Sequence, residues 1–196
     1  VGLHPDRVLA ATGQIGKDDM IHVWDTRTGE LVTRLDTRVH FQAGGVLSLC
    51  FSNDGSKIAA VGGNPLDSVL LIYDWRSGAL IGKTKCHNES VYCLQFLPDD
   101  SQVVMCGKDI IKFFSVESRI TVRQGVFYPR GTAQTLYSCT FDRNGSVICG
   151  AKDGSIYVFS GNRLTQKHAA HQGSVYTIYP LPHDNGFVTG GADGFI

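Results

Sequence analysis

Residues 17–32 read KDDMIHVWDTRTGELV, an alternating apolar run that ends in a Trp-Asp pair and is followed by a polar turn and a second short run. Alternation of apolar and polar residues is typical of a half-buried β-strand, and the turn residues predict a reversal into the next strand. The third apolar run of each later unit also ends in an aromatic residue, at Tyr73, Phe114 and Phe159. Because the pattern recurs, we interpret its cluster of polar residues as structural rather than catalytic.

Four similar runs set the length of the repeat. VLSLCF, VYCLQF, LYSCTF and VYTIYP end at Phe51, Phe96, Phe141 and Pro180, so the offsets are 45, 45 and 39 residues (96−51, 141−96 and 180−141). Each run is followed by a polar turn, an apolar run ending in small residues, a run ending in an aromatic residue, and a short fourth run. Each unit therefore predicts four short strands, and no run has a helical period.

A four-stranded sheet of this length buries both faces only when such sheets stack, as they do in a β-propeller. Many tight turns agree with this, since 23 of the 196 residues are glycine, against about 7% on average. We expect an all-β propeller of about four and a half antiparallel blades that begins in a second strand. The approximate blade bounds are 1–36 (incomplete), 37–85, 86–124, 125–168 and 169–196 (incomplete). Since propellers usually need more blades to close, we expect the remainder of a larger propeller as a partner.

The repeat resembles the WD-repeat family, whose namesake pair is Trp24-Asp25 here and Tyr73-Asp74 in the next unit. In that family an aspartate precedes the aromatic residue by about six positions, whereas the third unit has Lys108 there and Asp109 one position later. The resemblance implies that His87 and His171 begin blades and that His171 joins Thr189 and Asp193 in a structural hydrogen-bond network. The residues that it marks as structural are Asp18, Trp24, Asp25, Asp67, Tyr73, Asp74, His87, Phe114, Asp153, Phe159, His171, Thr189 and Asp193.

A narrower resemblance covers the whole chain in order. HPDRVLAATGQIGKDDMIHVWDTRTGELV, LLIYDWRSGALI, MCGKDIIKFFSV, RQGVF and FVTGGADGFI are similar to successive segments of the echinoderm microtubule-associated-protein-like family. The most specific pieces are residues 4–14 and 111–127. The resemblance implies a cytoskeletal protein of the cytoplasm, with tubulin and microtubules as partners and, for some relatives, a place in the cilium or axoneme.

The bulk composition argues against several classes of partner. Lys plus Arg and Asp plus Glu number 18 each, so the formal net charge is zero, and nothing points to nucleic acid or to anionic lipid. No uninterrupted apolar run approaches the ~18 residues of a membrane span, and VGLHPDRVLAATG is not a signal peptide. The six cysteines form no C-x-x-C pair, so we expect reduced thiols rather than a disulfide or zinc framework.

Motifs that would indicate catalysis are incomplete. SGALIGKT, residues 77–84, nearly spells a phosphate-binding loop, but Ser77 stands at the first glycine and a strand rather than a helix follows. There is no G-x-S-x-G elbow and no metal-ligand spacing of histidines. We therefore expect no enzyme activity, no cofactor and no bound metal. An enzyme using the propeller channel would need His or carboxylate groups on the innermost strands, which are mostly apolar.

Two connecting segments are candidate protein-interaction sites. The first, RQGVFYPRGTAQT (123–135), carries Phe127, Tyr128 and Arg130, and the second, TRVHFQAGG (37–45), carries His40 and Phe41. These residue types are enriched at interfaces, although the aromatic rings could instead pack on a blade rim. The leading interpretation is a non-catalytic scaffold that presents loops to tubulin or other cytoskeletal proteins. The alternative is an adaptor without tubulin binding, such as a ubiquitin-ligase substrate receptor or a signalling scaffold.

Overall fold

The structure, a computed structural model, describes residues 1–16, 19–41, 44–64, 67–87, 89–117, 119–181 and 186–196, the side chain of His87 excepted. This part of the chain consists of strands β1 to β18 and connecting turns. It contains no helix long and apolar enough to cross a membrane. The all-β prediction is confirmed.

The strands form four sheets of four strands and one pair. The first sheet contains β1 (Gly2–Leu3), β2 (Leu9–Gly13), β3 (Met20–Asp25) and β4 (Leu31–Asp36). The second contains β5 (Val46–Phe51), β6 (Lys57–Gly62), β7 (Ser68–Asp74) and β8 (Ala79–His87). The third contains β9 (Val91–Phe96), β10 (Gln102–Gly107), β11 (Ile110–Ser115) and β12 (Val122–Gln124). The fourth contains β13 (Leu136–Phe141), β14 (Val147–Ala151), β15 (Ser155–Ser160) and β16 (Arg163–Ala169), and the pair contains β17 (Val175–Pro180) and β18 (Phe187–Gly191).

Sequential neighbours pair within each sheet, as the repeat predicts. The expected start in a second strand is wrong, because Gly2 and Leu3 form a short strand that pairs antiparallel with Ala11 and Ala10. Two residues are too few to show an alternating pattern, so this strand left no signal in the sequence.

The chain divides into two compact units, and each has its own packing. The first unit comprises Val1–Val103 and Phe114–Thr121, and the second comprises Val104–Phe113 and Val122–Ile196. In the first unit, one buried cluster joins apolar side chains of the first two sheets, including Ile21, Ile58 and Leu71. In the second unit, Ile148 and Ile156 of the fourth sheet pack against Val175 and Ile178 of β17. The middle strands β6, β7, β10 and β14 are buried along nearly their whole length, as expected where stacked sheets cover both faces.

The first strand of three sequence repeats, β5, β13 and β17, carries a β-bulge at the same place. The register shifts between Val46 and Ser48, between Leu136 and Ser138, and between Val175 and Thr177. The residues passed over are Leu47, Tyr137 and Tyr176. A bulge re-aims a side chain, and Tyr176 at the third bulge is 56% exposed. The repeated irregularity has no counterpart in the hydrophobic pattern.

Candidate functional site

The first candidate segment is hydrogen-bonded to the sheets of the second unit at its start. The Gly125 amide donates to the Ile111 carbonyl at 2.8 Å. The Val126 amide donates to the Asn162 carbonyl at 2.7 Å, and the Leu164 amide donates to the Val126 carbonyl at 2.9 Å. These bonds fix the backbone beside the turn that leads into β16. The residues that follow therefore extend from a backbone that is held in place by hydrogen bonds.

Phe127 does not present its ring to solvent. Its side chain is buried, and its ring meets Phe159 edge to face at 5.3 Å and Tyr157 at 6.1 Å. Such aromatic pairs add to the stabilisation from burial. The prediction of Phe127 as an interaction residue is wrong for this reason: its ring packs over the aromatic end of the third strand of its blade.

Tyr128 and Arg130 are exposed, and the exposed fraction of Tyr128 is 82%. The Gly131 amide donates to the Phe127 carbonyl at 3.0 Å, which closes a turn around the two side chains. A Cβ at Gly131 would come within 2.8 Å of Leu164 Cδ2, so the backbone returns directly onto the blade. The buried Phe127 and the close approach at Gly131 thus hold an exposed aromatic and a cationic side chain between them.

The end of the segment is also held by hydrogen bonds. The Lys152 amide donates to the Thr135 carbonyl at 2.9 Å, and the Thr135 hydroxyl donates to Asp109 Oδ1 at 3.3 Å. Asp109 is the aspartate that stands one position later than the repeat requires. It has φ of 56°, a left-handed conformation that Asp tolerates better than most residues. From this shifted position, the Asp109 carboxylate accepts the hydrogen bond from Thr135 and so stabilises the connecting segment.

The second candidate segment also contains one buried and one accessible residue. Phe41 is fully buried and belongs to the core of the first unit, so its prediction as an interaction residue is wrong. His40 is half-buried, and the Lys83 ammonium donates to its Nδ1 at 3.4 Å. Burial, followed by the charge of Lys83, lowers the pKa of His40 below its usual 6.5.

A buried aspartate, Asp19, lies one residue after the position expected to anchor the turn before Trp24. Asp18 falls outside the described residues, but the adjacent Asp19 is buried and accepts hydrogen bonds from the amides of Gly16 at 3.0 Å and Gly45 at 3.3 Å. Sequence reasoning missed Asp19. The available signal was its spacing, because Asp19 and Asp109 both stand five residues before their aromatic residue (24−19 and 114−109).

Asp67 and Asp153 occupy the same repeat position but have different surroundings. Asp67 is exposed and its Oδ1 lies 2.8 Å from Lys85 Nζ. Asp153 Oδ2 lies 2.8 Å from Lys167 Nζ and accepts from the Tyr157 hydroxyl at 3.2 Å. Burial alone would raise the pKa of Asp153, but the hydrogen bonds from Lys167 and from a backbone amide outweigh it and lower the pKa below 3.8. Asp153 thus stabilises its own blade through its contacts with Lys167 and Tyr157.

The structure brings His171, Thr189 and Asp193 together. His171 Nδ1 donates to the Asp193 carboxylate at 2.9 Å, and His171 Nε2 lies 2.9 Å from the Thr189 hydroxyl, which donates to it when the imidazole is neutral. Burial opposes ionisation of Asp193, yet hydrogen bonds from the Gln172 amide and from His171 lower its pKa. Both imidazole nitrogens are occupied, so the group holds the blade rather than offering a base. The corresponding side chain of His87 lies outside the described residues.

The aromatic residues at the ends of the third strands fall into two groups. Tyr73, Phe114 and Phe159 are buried. Trp24 is only half-buried, and its Nε1 donates to the Thr12 hydroxyl at 2.8 Å. The tryptophan is thus held by a hydrogen bond to the neighbouring strand, and of the three buried residues Tyr73 also donates from its hydroxyl to the Asp36 carbonyl at 3.4 Å.

Asp25 and Asp74 both organise the turn after the third strand. Asp25 Oδ1 accepts from the amides of Arg27 at 2.8 Å and Thr28 at 3.2 Å. Asp74 Oδ1 accepts from the Ser77 amide at 3.0 Å. These bonds lower the pKa of both carboxyls below 3.8. Such side-chain turns are typical of aspartate, so both residues act locally.

Metal-binding geometry is absent from the described part of the chain. No group of three or more His, Cys, Asp or Glu side chains there is arranged to hold a metal ion. Of the residues predicted on the first segment, Tyr128 and Arg130 are the exposed ones.

Comparison with known proteins places the chain in a family. The family model described as Echinoderm microtubule-associated protein first beta-propeller matches residues 1–196. The chain is 33% identical over 204 aligned residues to mouse Echinoderm microtubule-associated protein-like 2, covering 97% of this chain and 31% of that protein. It is 29% identical to human Echinoderm microtubule-associated protein-like 1 and to the 77 kDa echinoderm microtubule-associated protein of Lytechinus variegatus, covering 97% of this chain and 25% and 30% of those proteins. The chain therefore spans about a quarter to a third of the length of these relatives.

A solved structure shares the fold. The crystal structure of the Myceliophteria thermophila Cps50 (Swd1) beta-propeller domain superposes with a TM-score of 0.80 at 12% identity, covering 96% of this chain and 62% of that one. At this identity the likeness concerns the fold alone. Together with the four-stranded antiparallel sheets, it confirms the predicted β-propeller fold class.

Proposed function

Because this chain belongs to the family of first β-propellers of echinoderm microtubule-associated proteins, we propose that it is a non-catalytic scaffold of the cytoskeleton. Its loops would bind tubulin, microtubules or other cytoskeletal proteins. The names of the relatives, which are microtubule-associated proteins, support this partner class. The corresponding location is the microtubules of the cytoplasm, including those of the cilium or axoneme. Further blades, contributed by the remainder of the propeller, would complete the ring.

The observation that carries the proposal is the exposed pair Tyr128 and Arg130 on a segment tied down at both ends. Tyrosine and arginine are the residue types that most often dominate binding energy at protein interfaces. A loop already held in its bound shape loses little conformational entropy when a partner binds. The buried Phe127 and the bond between Gly131 and Phe127 supply that rigidity. Binding would therefore depend on the tip of the loop and not on its anchor.

Cosedimentation with microtubules, together with pull-down of soluble tubulin, tests the proposal. We expect the Tyr128→Ala, Arg130→Ala double variant to reduce binding at least about tenfold, because hot-spot side chains each contribute more than about 1 kcal/mol. Tyr179→Ala, which removes a 62% exposed tyrosine from β17, is the matched control. Binding in neither assay by the unsubstituted chain would refute tubulin and microtubules as the partners and favour an adaptor without tubulin binding.

One observation favours that adaptor. The net charge is zero, so the chain gains little long-range attraction toward a strongly charged partner. An adaptor that recognises a short peptide would need only a local surface. Capture of cytoskeletal proteins other than tubulin in the same pull-down would leave the scaffold role intact and change only its partner.

A further inference from the structure

A surface pocket of about 350 Å³ opens beside β8 in the first unit. We call it the β8 pocket, and its lining residues are His40, Asn64, Asp67, Val69, Lys83 and Lys85. The pocket joins the second candidate loop to an outer strand, so residues far apart in the chain share one wall. Val69, which is buried and pairs with Lys85 across the sheet, forms its apolar side.

Two lysines project from one face of β8. Lys83 and Lys85 are two residues apart in a strand, so their side chains point the same way with a separation of about 7 Å along the strand. Both are exposed. An extended peptide that carries acidic side chains two residues apart presents carboxylates at the same spacing.

The charges of the β8 pocket do not balance. Lys85 is paired with Asp67, its Nζ lying 2.8 Å from Oδ1. Lys83 donates to His40, and among the described residues its ammonium contacts no carboxylate. Burial and the nearby Lys83 lower the pKa of His40 although Asp36 opposes them, so His40 is not counted as a positive charge. Two lysines and one aspartate leave one net positive charge (2−1) in a concave site.

We propose that the β8 pocket binds an acidic peptide segment of a protein partner, with one side-chain carboxylate bound by Lys83 and a second competing with Asp67 for Lys85. This inference rests on the proposed function, because it specifies the chemistry of a partner that the scaffold would bind. Asp67 acts as an internal competitor: its carboxylate occupies Lys85 until the partner replaces it. Removal of Asp67 should therefore strengthen binding, which a purely structural ion pair would not predict.

A nucleic acid is a poorer match for this pocket. Its binding depends on neutralising many phosphates along a basic surface, whereas the chain has no excess of Lys and Arg. One net positive charge in a small concave site suits one or two carboxylates. Oligonucleotide binding is accordingly an outcome that the experiment must distinguish.

Fluorescence anisotropy of a labelled hexaglutamate peptide, titrated with the full chain, tests the inference. We expect weak binding that is lost at about 0.5 M salt, since exposed charges are screened over a few ångströms there. Lys83→Glu should weaken binding at least about fivefold and Lys83→Gln about threefold, while Asp67→Asn should tighten it about threefold. Lys152→Glu, an exposed lysine of the second unit with the same change in charge, should alter binding less than twofold.

Three outcomes would overturn the inference: no binding of hexaglutamate, equal weakening by Lys83→Glu and Lys152→Glu, or equal or tighter binding of a labelled single-stranded oligonucleotide. Thermal unfolding of each variant identifies any that fails to fold, and Asp67→Asn, as a gain in affinity, cannot arise from misfolding. If the chain pellets with microtubules but does not bind hexaglutamate, the inference fails and the proposed function stands. If the peptide binds through Lys83 but microtubules do not, the inference stands and the proposed function fails.

Discussion

The carboxylate of Asp100 accepts two hydrogen bonds from Asn53, one from the backbone amide at 2.7 Å and one from Nδ2 at 2.8 Å. Its second oxygen accepts from the Asp54 amide at 2.9 Å. Asn53 follows β5 and Asp100 follows β9, so these hydrogen bonds join equivalent turns of two successive repeats. Both turns belong to the first compact unit. Asp100 adopts φ of 57°, a conformation that aspartate tolerates better than most residues. One side chain therefore fastens two blades at their rim.

We predict that Asp100→Ala lowers the free energy of unfolding by about 1–2 kcal/mol, because three hydrogen bonds to a charged group are lost at a partly strained backbone position. Asp100→Asn should cost less, since asparagine tolerates the same backbone and keeps an acceptor. Urea unfolding monitored by circular dichroism measures the change. Asp142→Ala is the control, because among the described residues the Asp142 carboxylate accepts hydrogen bonds only within its own turn; equal losses would remove the special role of Asp100.

The hydroxyl of Thr189 should stabilise the last strand pair. Thr189→Val keeps the shape of the side chain but leaves His171 Nε2 without its partner at 2.9 Å. We expect a loss of about 1 kcal/mol, equivalent to a fall of about 2–4 °C in the melting temperature of a chain of this size. Thr177→Val, an exposed threonine of β17, should leave the melting temperature nearly unchanged. A larger effect from Thr177 than from Thr189 would contradict this role.

Acid should destabilise the chain through specific carboxylates. Hydrogen bonds from the Arg38 side chain and amide lower the pKa of Asp36 to about 2, and hydrogen bonds from Ser52 and Ser56 lower that of Asp54. Because these folded-state pKa values lie below the unfolded value of 3.8, the stabilisation is present above about pH 4 and is lost as the pH falls toward 2. Urea unfolding midpoints between pH 6 and pH 2.5 should therefore decline.

The variant Asp36→Asn provides the comparison for the acid experiment. It removes one titrating group, so its stability at pH 6 should be lower and its decline below pH 4 shallower than those of the unsubstituted chain. Parallel curves for the two proteins would show that Asp36 makes no contribution.

Phe127 and Tyr128 are neighbours with opposite roles. Phe127→Ala should lower the free energy of unfolding by about 3–4 kcal/mol, because it opens a cavity against Tyr157 and Phe159. Tyr128→Ala should change it by less than about 0.5 kcal/mol, since the ring is exposed, yet should weaken partner binding. Denaturation and pull-down of both variants measure the two effects separately. A stability loss at Tyr128 comparable to that at Phe127 would mean that the loop tip is structural.

Strand positions and the repeat were accessible from the sequence because both are local properties. Alternation along VLSLCF or IHVWD follows from the pleat of a single strand, and the turns follow from Gly, Asp and Asn within a few residues. The place of Asp153 six residues before Phe159, and the matching place of Asp193 in the last repeat, likewise reflect a short hairpin. For the same reason, the two-residue strand Gly2–Leu3 and the bulge at Leu47 were invisible, since neither changes the pattern of a whole strand.

Which side chains are available to a partner was decided by tertiary structure. Phe41 and Phe127 have the composition of interface residues, but long-range packing buries both, while Tyr128 and Arg130 beside them remain exposed. Burial of Asp19 and the β8 pocket also depend on segments that are far apart in the chain. The sequence by itself thus determined the repeat and its strands, which local alternation encodes. The choice among candidate loop residues required the fold, because burial depends on neighbours that local sequence does not specify.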